Sequence, residues 1–167
     1  QDYWYYVELT NTTNGEVTQI NYKNNDGSGK LETYIDGKLK ESQEYSGDYK
    51  EEVITSYNDG KVISKEKTTC DKDGNVLQNT TYDGNGKLTS STEYVQDGSG
   101  EIVTKYDGGK IIGIEEKKYD ANGSLKEEVT YDENKILVST KKPIYNEYGD
   151  LSKVVIHDKN GRVIASE

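Results

Sequence analysis

The chain has 167 residues, of which 31% are hydrophobic and 31% are charged, and its formal net charge is −10. This acid excess argues against the basic face that nucleic-acid binding needs, so we expect no nucleic-acid partner. No apolar run approaches the roughly 18 residues that span a bilayer. The composition is close to that of disordered chains, but 15 tyrosines, one proline and regularly spaced turn residues favour an ordered protein with a thin core.

The N-terminal segment, residues 1–21, is the least regular part of the sequence. It opens with an aromatic run of high strand propensity that contains Tyr3, Trp4, Tyr5, Tyr6 and Val7. Asn14-Gly15 is typical of a tight hairpin turn, and residues 17–22 are predicted to form the returning strand. The segment therefore predicts an irregular hairpin ahead of the repeats.

From Tyr22 onward, an aromatic residue or its substitute marks the end of each predicted strand. The markers are Tyr22, Tyr34, Tyr45, Tyr57, Cys70, Tyr82, Tyr94, Tyr106, Tyr119, Tyr131, Tyr145 and His157. Alternate steps between markers are about 12 residues long, so the repeating unit is a pair of strands of about 24 residues. Residues 22–167 are therefore predicted to hold about six two-strand repeats.

Asn-Gly and Asp-Gly pairs separate the predicted strands and supply the positive φ that short hairpin turns need. Strands joined by such turns run antiparallel. The sequence therefore predicts an all-β fold, an antiparallel meander of about 14 short strands. Because few bulky side chains are available to fill an interior, we expect an open, coiled or partly single-layer sheet. We expect it to form a single elongated domain over residues 1–167.

Two residues predict local faults in the sheet. Gly113 interrupts an isoleucine run and indicates a bulge. Pro143 falls in a strand that the meander makes internal, where a proline requires a bulge.

Equivalent residues of successive repeats should lie roughly 10 Å apart and form rows. One row, near one rim, is the tyrosine ladder, which comprises Tyr34, Tyr57, Tyr82, Tyr106 and Tyr131, with His157 at the same repeat position. A second aromatic row near the opposite rim comprises Tyr22, Tyr45, Tyr94, Tyr119 and Tyr145, with Cys70. Tyrosine suits a half-buried sheet surface because its ring is apolar and its tip is polar. Structural stacking is the plainer interpretation, and a platform for sugar rings or a partner chain is the alternative.

The turns also carry a row of cations with aspartates beside them. The cations are Lys38, Lys61, Lys87, Lys110, Lys135 and Arg162, and the aspartates are Asp36, Asp59, Asp83, Asp107, Asp132 and Asp158. We interpret this rim as a solvated, charge-alternating surface that limits self-association, with a ligand-binding strip as the alternative.

The residues that usually carry chemistry are few. His157 and Cys70 are the single histidine and cysteine, and each stands at a tyrosine position of the repeat. Adjacent carboxylates such as Glu127 and Glu128 point to opposite faces of a strand and cannot act as a paired acid and base. We therefore expect no enzymatic activity, no metal and no cofactor. Cys70 is read as a small buried hydrophobe, with an intermolecular disulfide as the alternative.

Two of the repeats resemble the YD repeat of bacterial Rhs-type proteins, whose pattern is Tyr-Asp-x-x-Gly-Arg/Lys-Leu. They are Tyr82-Asp-Gly-Asn-Gly-Lys-Leu88 and His157-Asp-Lys-Asn-Gly-Arg-Val163. They are also similar to the repeats of MORN-variant, antitoxin-like bacterial proteins. The resemblance implies a bacterial, surface or secreted β-structure that encloses or displays something. The chain departs from the pattern because it is short and its cation is usually Lys, and neither family supplies catalytic residues.

The expected function is a non-enzymatic structural or adhesive role outside the cell. The chain opens with Gln1 and contains no Met, which favours removal of a secretory signal peptide and a secreted or cell-surface location. Two alternatives stay open. One is a carbohydrate- or protein-binding module that uses the tyrosine ladder to hold a glycan or a surface protein. The other is a cytoplasmic antitoxin-like binding protein.

An open meander leaves two edge strands with unpaired backbone groups, expected here within residues 3–10 and 162–166. Pairing the last strand of one copy with the first strand of the next would satisfy both edges and could propagate a filament. The residues predicted at this assembly edge are Tyr3, Trp4, Tyr5, Tyr6, Val7, Val163 and Ile164.

Overall fold

The structure, a computed structural model, describes residues 6–11 and 17–166, with the side chains of Tyr6, Val7 and Asn11 left out of the description. The described residues form strands and turns and contain no helix. The strands are β1 Tyr6–Asn11, β2 Val17–Lys23, β3 Gly29–Ile35, β4 Lys38–Tyr45, β5 Glu51–Asn58, β6 Lys61–Cys70, β7 Val76–Asp83, β8 Leu88–Tyr94, β9 Gly100–Asp107, β10 Lys110–Tyr119, β11 Leu125–Tyr131, β12 Leu137–Tyr145, β13 Leu151–Asp158 and β14 Val163–Ser166.

Each strand pairs with its neighbour in sequence, so the sheet order is β1 through β14 without a crossover. The sheet is antiparallel and open. This arrangement confirms the predicted meander of 14 short strands. The aromatic markers also lie where the repeat places them: β4 and β10 end at Tyr45 and Tyr119, and β9 ends one residue after Tyr106.

Contacts along the chain group it into two compact units, residues 1–89 and residues 90–167. They are called unit 1 and unit 2 below, and each is described by itself.

Two short turns of unit 1 have type I′ geometry, the hairpin form that matches the twist of the flanking strands. Asp36 and Gly37 have φ of 50° and 76°, and Asp59 and Gly60 have φ of 48° and 77°. Aspartate tolerates this left-handed conformation better than most residues, so the Asp-Gly pairs predicted as turns occupy the positions that need them.

The longer turns are fixed by the side chain of their first residue. Asp71 Oδ1 accepts hydrogen bonds from the backbone N–H of Asp73 at 2.8 Å and of Asn75 at 2.9 Å. These bonds satisfy backbone donors that the turn would otherwise leave to water. The same double acceptance recurs at Asp83, Asp120, Asp132, Asn146 and Asp158.

The two predicted faults have different outcomes. In β10, Ile111 pairs with Tyr106 and Gly113 pairs with Lys105, so one residue is extra and the predicted bulge at Gly113 is confirmed. The bulge predicted at Pro143 is wrong, because Pro143 pairs regularly with Val154 and the register shifts only beyond Ile144.

Pro143 is tolerated because of where the neighbouring ladder ends. The pairing of β12 with β11 runs only as far as Glu128 opposite Lys141. Pro143 lies beyond this last pair, so its missing N–H removes no ladder bond on the β11 side.

The core is thin, as the composition predicts. Among the described residues, Val129 is the buried hydrophobic side chain at 5% exposure, and Ser42 and Thr55 are buried at 4% and 6%. The chain exposes 11,197 Å², whereas a globular protein of this mass exposes about 8,300 Å². Contacts between side chains on the faces of the sheet must therefore supply the stability that a buried interior supplies in a globular protein.

We expect Gly29→Ala to lower the free energy of unfolding by about 1–3 kcal/mol, because the added methyl group overpacks the site. A Cβ at Gly29 would meet the Tyr22 carbonyl oxygen at 2.5 Å as well as the Tyr45 ring. The matched control is Gly113→Ala, whose Cβ would meet only the Tyr131 carbonyl oxygen at 3.6 Å. Urea unfolding should show the control unchanged or slightly more stable, and equal losses in both variants would contradict the packing at Gly29.

We expect Asp71→Ala to lower the thermal midpoint, because two backbone N–H groups lose their acceptor, and Asp71→Asn to retain it, since Asn146 holds the equivalent turn. Hydrogen bonds from the Asn75 side chain and backbone lower the pKa of Asp71. The Asp71 carboxylate therefore stabilises the fold at pH values above its unfolded pKa of about 3.9. This stabilisation is lost as pH falls through the pKa of the folded state. Calorimetry between neutral and acidic pH should show that the thermal midpoint falls less for Asp71→Asn than for the unmodified chain.

Candidate functional site

In unit 1 the strand register places four tyrosines on one face, called here the tyrosine face: Tyr22, Tyr34, Tyr57 and Tyr82. The same face carries Ser42 and Thr55, which are direct cross-strand partners and are buried. Both side chains are small, so the longer side chains beside them on this face must cover them. The tyrosine face therefore buries polar groups without a second layer of structure.

Glu32 is the hydrogen-bonding centre of the tyrosine face. Its Oε2 accepts a hydrogen bond from Tyr34 Oη at 3.1 Å, and Tyr22 also donates to this carboxylate. Lys30 Nζ lies 3.8 Å from Glu32 Oε1 and 4.8 Å from the centroid of the Tyr22 ring. The Glu32 side chain is only 12% exposed, so these partners compensate a largely desolvated charge.

The carboxylate changes the acidity of both tyrosines. The hydrogen bond to Glu32, with burial second, raises the pKa of Tyr22 to about 12. Burial first, and then the bond to Glu32, raises the pKa of Tyr34. A phenolate beside Glu32 would place two negative charges together, so both tyrosines stay protonated and remain donors.

Unit 2 repeats the pairing of tyrosine with glutamate. Tyr119 Oη donates to Glu101 Oε1 at 3.1 Å, and Lys117 Nζ lies 3.8 Å from the same oxygen. Tyr131 Oη donates to Glu116 Oε2 at 3.4 Å. Burial, followed by the glutamate partner, raises the pKa of both tyrosines.

The structure places the residues of the tyrosine ladder on shared faces within each unit. Tyr34, Tyr57 and Tyr82 share the tyrosine face of unit 1, and Tyr106 and Tyr131 share a face of unit 2 with His157. The hydroxyls of Tyr34 and Tyr131 bind glutamates, and the stacked ring pair within the described residues is Tyr45 with Tyr49.

The second predicted aromatic row is incomplete in unit 1, where Tyr45 and Cys70 share a face of the sheet but Tyr22 does not. Tyr22 pairs with Lys30, whereas Tyr45 pairs with Gly29, one residue earlier in β3. Successive residues of a strand point to opposite faces. Tyr22 and Tyr45 therefore lie on opposite faces of the sheet, and the prediction that they form one row is wrong.

The predicted assembly edge is only partly within the description. Tyr3, Trp4 and Tyr5 lie outside the described residues. Tyr6 and Val7 belong to β1, where their backbones pair with Lys23 and Tyr22 of β2. In β14, Val163 and Ile164 are 60% and 61% exposed.

The charged rim, the single cysteine and the single histidine were the other candidates for chemistry in the sequence. On the charged rim, Lys38 Nζ forms an ion pair with Asp59 Oδ1 at 3.3 Å, and both side chains are largely exposed, so the pair adds little stability. Cys70 is a free, half-buried thiol, and His157 Nδ1 is buried without a hydrogen-bond partner among the described residues. Over those residues, no group of three or more His, Cys, Asp or Glu side chains converges as a metal site.

One feature that sequence reasoning missed is Tyr49, in the turn between β4 and β5. It has φ of 56°, a conformation that disfavours side chains with a Cβ. Its ring stacks on Tyr45 with centroids 5.8 Å apart and is 69% exposed. The available signal was the turn sequence, which has Tyr where the neighbouring turns on this rim have Gly.

No protein-family model matches the chain, and no curated protein does. Among solved structures the chain is similar to a mutant of S. aureus TarM, crystallised in complex with fondaparinux, α-GlcNAc-glycerol and UDP. The identity is 18%, the match covers 72% of this chain and 21% of that chain, and the TM-score is 0.34. A likeness at this level carries no conclusion about fold or function. Separately, no helix within the described ranges is long and apolar enough to cross a membrane.

We expect Glu32→Gln to lower the pKa of Tyr22 from about 12 toward the ordinary value of about 10, because the neutral amide no longer opposes a phenolate. A raised pKa means that the interaction stabilises the fold below about pH 10 and is lost as pH rises through the folded pKa. Alkaline titration of the tyrosine ring carbons by NMR measures both effects. The control is Glu41→Gln on the opposite face, and an equal shift of Tyr22 there would contradict the assignment.

Proposed function

We propose that the chain is a non-enzymatic structural or adhesive repeat protein that acts outside the cell, and that its sheet extends by pairing β14 of one copy with β1 of the next. The observation that carries this proposal is the state of the terminal strands. Within the described residues, β1 pairs only with β2 and β14 pairs only with β13. Each therefore offers one row of backbone donors and acceptors to another strand.

The side chains of these strands do not protect them from pairing. Proteins usually guard edge strands with charged residues, prolines or bulges. Strand β14 has the sequence Val-Ile-Ala-Ser, and β1 carries one charged residue, Glu8, among six. Leu9 of β1 is 61% exposed, and Val163 and Ile164 of β14 are 60% and 61% exposed. A new strand pair would therefore also cover apolar surface.

The geometry of such a contact favours an open assembly. Pairing the last strand with the first is head-to-tail, and a head-to-tail contact that does not close produces a filament. Strand β14 has only four residues, so each contact supplies few hydrogen bonds. We therefore expect weak individual contacts and assembly that depends strongly on protein concentration.

The remaining parts of the proposal have separate support. The location outside the cell rests on the resemblance to YD-repeat proteins. A structural use of the tyrosines, in preference to a binding platform, is favoured by the engagement of the Tyr34 and Tyr131 hydroxyls with Glu32 and Glu116.

The test compares the chain with a double variant, Val163→Lys with Ile164→Lys, by light scattering and electron microscopy over a range of concentrations. The added charges should block strand addition and leave a monomer, whereas the unmodified chain should gain mass with concentration and form filaments. The matched control, Ile136→Lys with Val138→Lys, adds the same charge at positions that are 57% and 48% exposed but lie away from the edge strands.

The control should assemble like the unmodified chain. If the unmodified chain stays monomeric at high concentration, or if both double variants lose assembly equally, end-to-end pairing is wrong.

A further inference from the structure

His157 occupies the position of the tyrosine ladder that lies beside the last strand of unit 2. The equivalent positions of the other repeats hold Tyr34, Tyr57, Tyr82, Tyr106 and Tyr131. His157 is the single histidine of the chain, and its cross-strand partners are Thr140 in β12 and Val163 in β14. Over the described residues β14 is the last strand of the sheet. The side chain whose charge changes near neutral pH therefore lies beside the edge strand.

Strand β14 is joined to β13 by a short and irregular ladder. Its cross-strand pairs are Val155 with Ser166, Ile156 with Ala165 and His157 with Val163. The register shifts between the last two pairs, so Ile164 is an extra residue in β14. On its other side β13 pairs with β12 over the whole range from Leu151 to Asp158. A loss of stability at His157 should therefore release β14 and leave the pairing of β12 with β13 intact.

The Nδ1 atom of His157 is buried and has no hydrogen-bond partner among the described residues. A neutral imidazole can carry its single proton on Nε2 and leave Nδ1 as an acceptor. In the protonated ring both nitrogens are donors, so the Nδ1–H group would be buried without an acceptor. Protonation therefore adds a charge and an unsatisfied donor to a buried site, and both disfavour the packed arrangement.

The strands beside His157 offer no carboxylate on its face within the described residues. Thr140, Lys142 and Lys153 lie on that face of β12 and β13, and β14 contains no titratable side chain. Asp158 points to the opposite face, and its Oδ1 accepts two backbone hydrogen bonds from the following turn. The cations on the face of His157 and in the adjoining turn are Lys142, Lys153, Lys159 and Arg162. A protonated His157 would therefore add positive charge to a face that is already cationic.

We propose that β14 is held on β13 while His157 is neutral and is released when its imidazole is protonated. Histidine changes its charge between about pH 8 and about pH 5, so the pairing of β14 is strongest at the upper end of this range and weakens as pH falls. Release of β14 removes the edge strand that pairs with β1 of the next copy, so mild acid should dissolve filaments. The effect on filaments rests on the proposed function, whereas the release of β14 does not.

Hydrogen exchange of the backbone amides, followed by NMR on the full chain at a concentration where it is monomeric, measures the release. After correction for the intrinsic exchange rate, the opening equilibrium constant of the β14 amides should rise at least about tenfold from about pH 8 to about pH 5. The amides of β5 should show no such rise. Because the chain has one histidine, its imidazole signal is unambiguous, and its titration should coincide with the opening of β14.

Two variants remove the titrating group in different ways. His157→Gln keeps a neutral polar side chain, and His157→Tyr restores the residue of the tyrosine ladder. Both should keep β14 paired at about pH 5, and filaments of His157→Gln should persist there. The matched control is Asp158→Asn, which removes the neighbouring carboxylate but keeps a turn acceptor of the kind that Asn146 supplies. This control should retain the pH response of the unmodified chain.

The proposal is overturned if the opening of β14 is the same at both pH values, or if both His157 variants release β14 in acid as the unmodified chain does. It is also overturned if Asp158→Asn abolishes the response, since the turn carboxylate would then be the titrating group. Release of β14 by acid in a chain that forms no filament at any pH would support the switch and contradict end-to-end pairing.

Discussion

Each face of this sheet must be shielded from water by the side chains that the face itself carries. Where one layer of sheet has no second layer against it, a side chain can be shielded from water only by its neighbours on that face. Tyrosine meets this need because its ring covers adjacent strands while its hydroxyl still requires a partner. Glutamates on the same face supply that partner, as Glu32 does for Tyr22 and Tyr34. This explains why a chain with so little aliphatic content holds 15 tyrosines.

The turns join each strand to the next and so produce the repeating architecture. Each strand pairs with the strand beside it in sequence, so every contact that builds the sheet is short in sequence, as in other repeat proteins. Side chains such as Asp71 and Asn146 fix the longer turns locally, and Asp-Gly pairs fix the shorter ones. Such a sheet gains stability as each strand pairs with the one before it, and within the described residues its first and last strands each keep one side without a partner strand.

The sequence was sufficient to predict the strands, their order and most of the turns, because tyrosine spacing and Asp-Gly pairs are local signals. It was not sufficient to predict which tyrosines share a face. A register shift of one residue moves a side chain to the other face, and this separates Tyr22 from Tyr45. Pro143 was misjudged because its tolerance depends on where the β11 ladder stops. The close approach of the turns before β3 and β5, at Gly27 and Gly47, depends on two separate segments that meet in space, which no local pattern encodes.

The heat-capacity change of unfolding distinguishes a sheet that is covered by its own side chains from a protein with a buried interior. This quantity reports the apolar surface that unfolding exposes, and a globular chain of 167 residues would give about 2–2.5 kcal/mol/K. The structure predicts a clearly smaller value for the chain, measured by calorimetry at a concentration where it is monomeric. A value equal to that of a globular protein would mean that a buried core exists, and it would contradict the account.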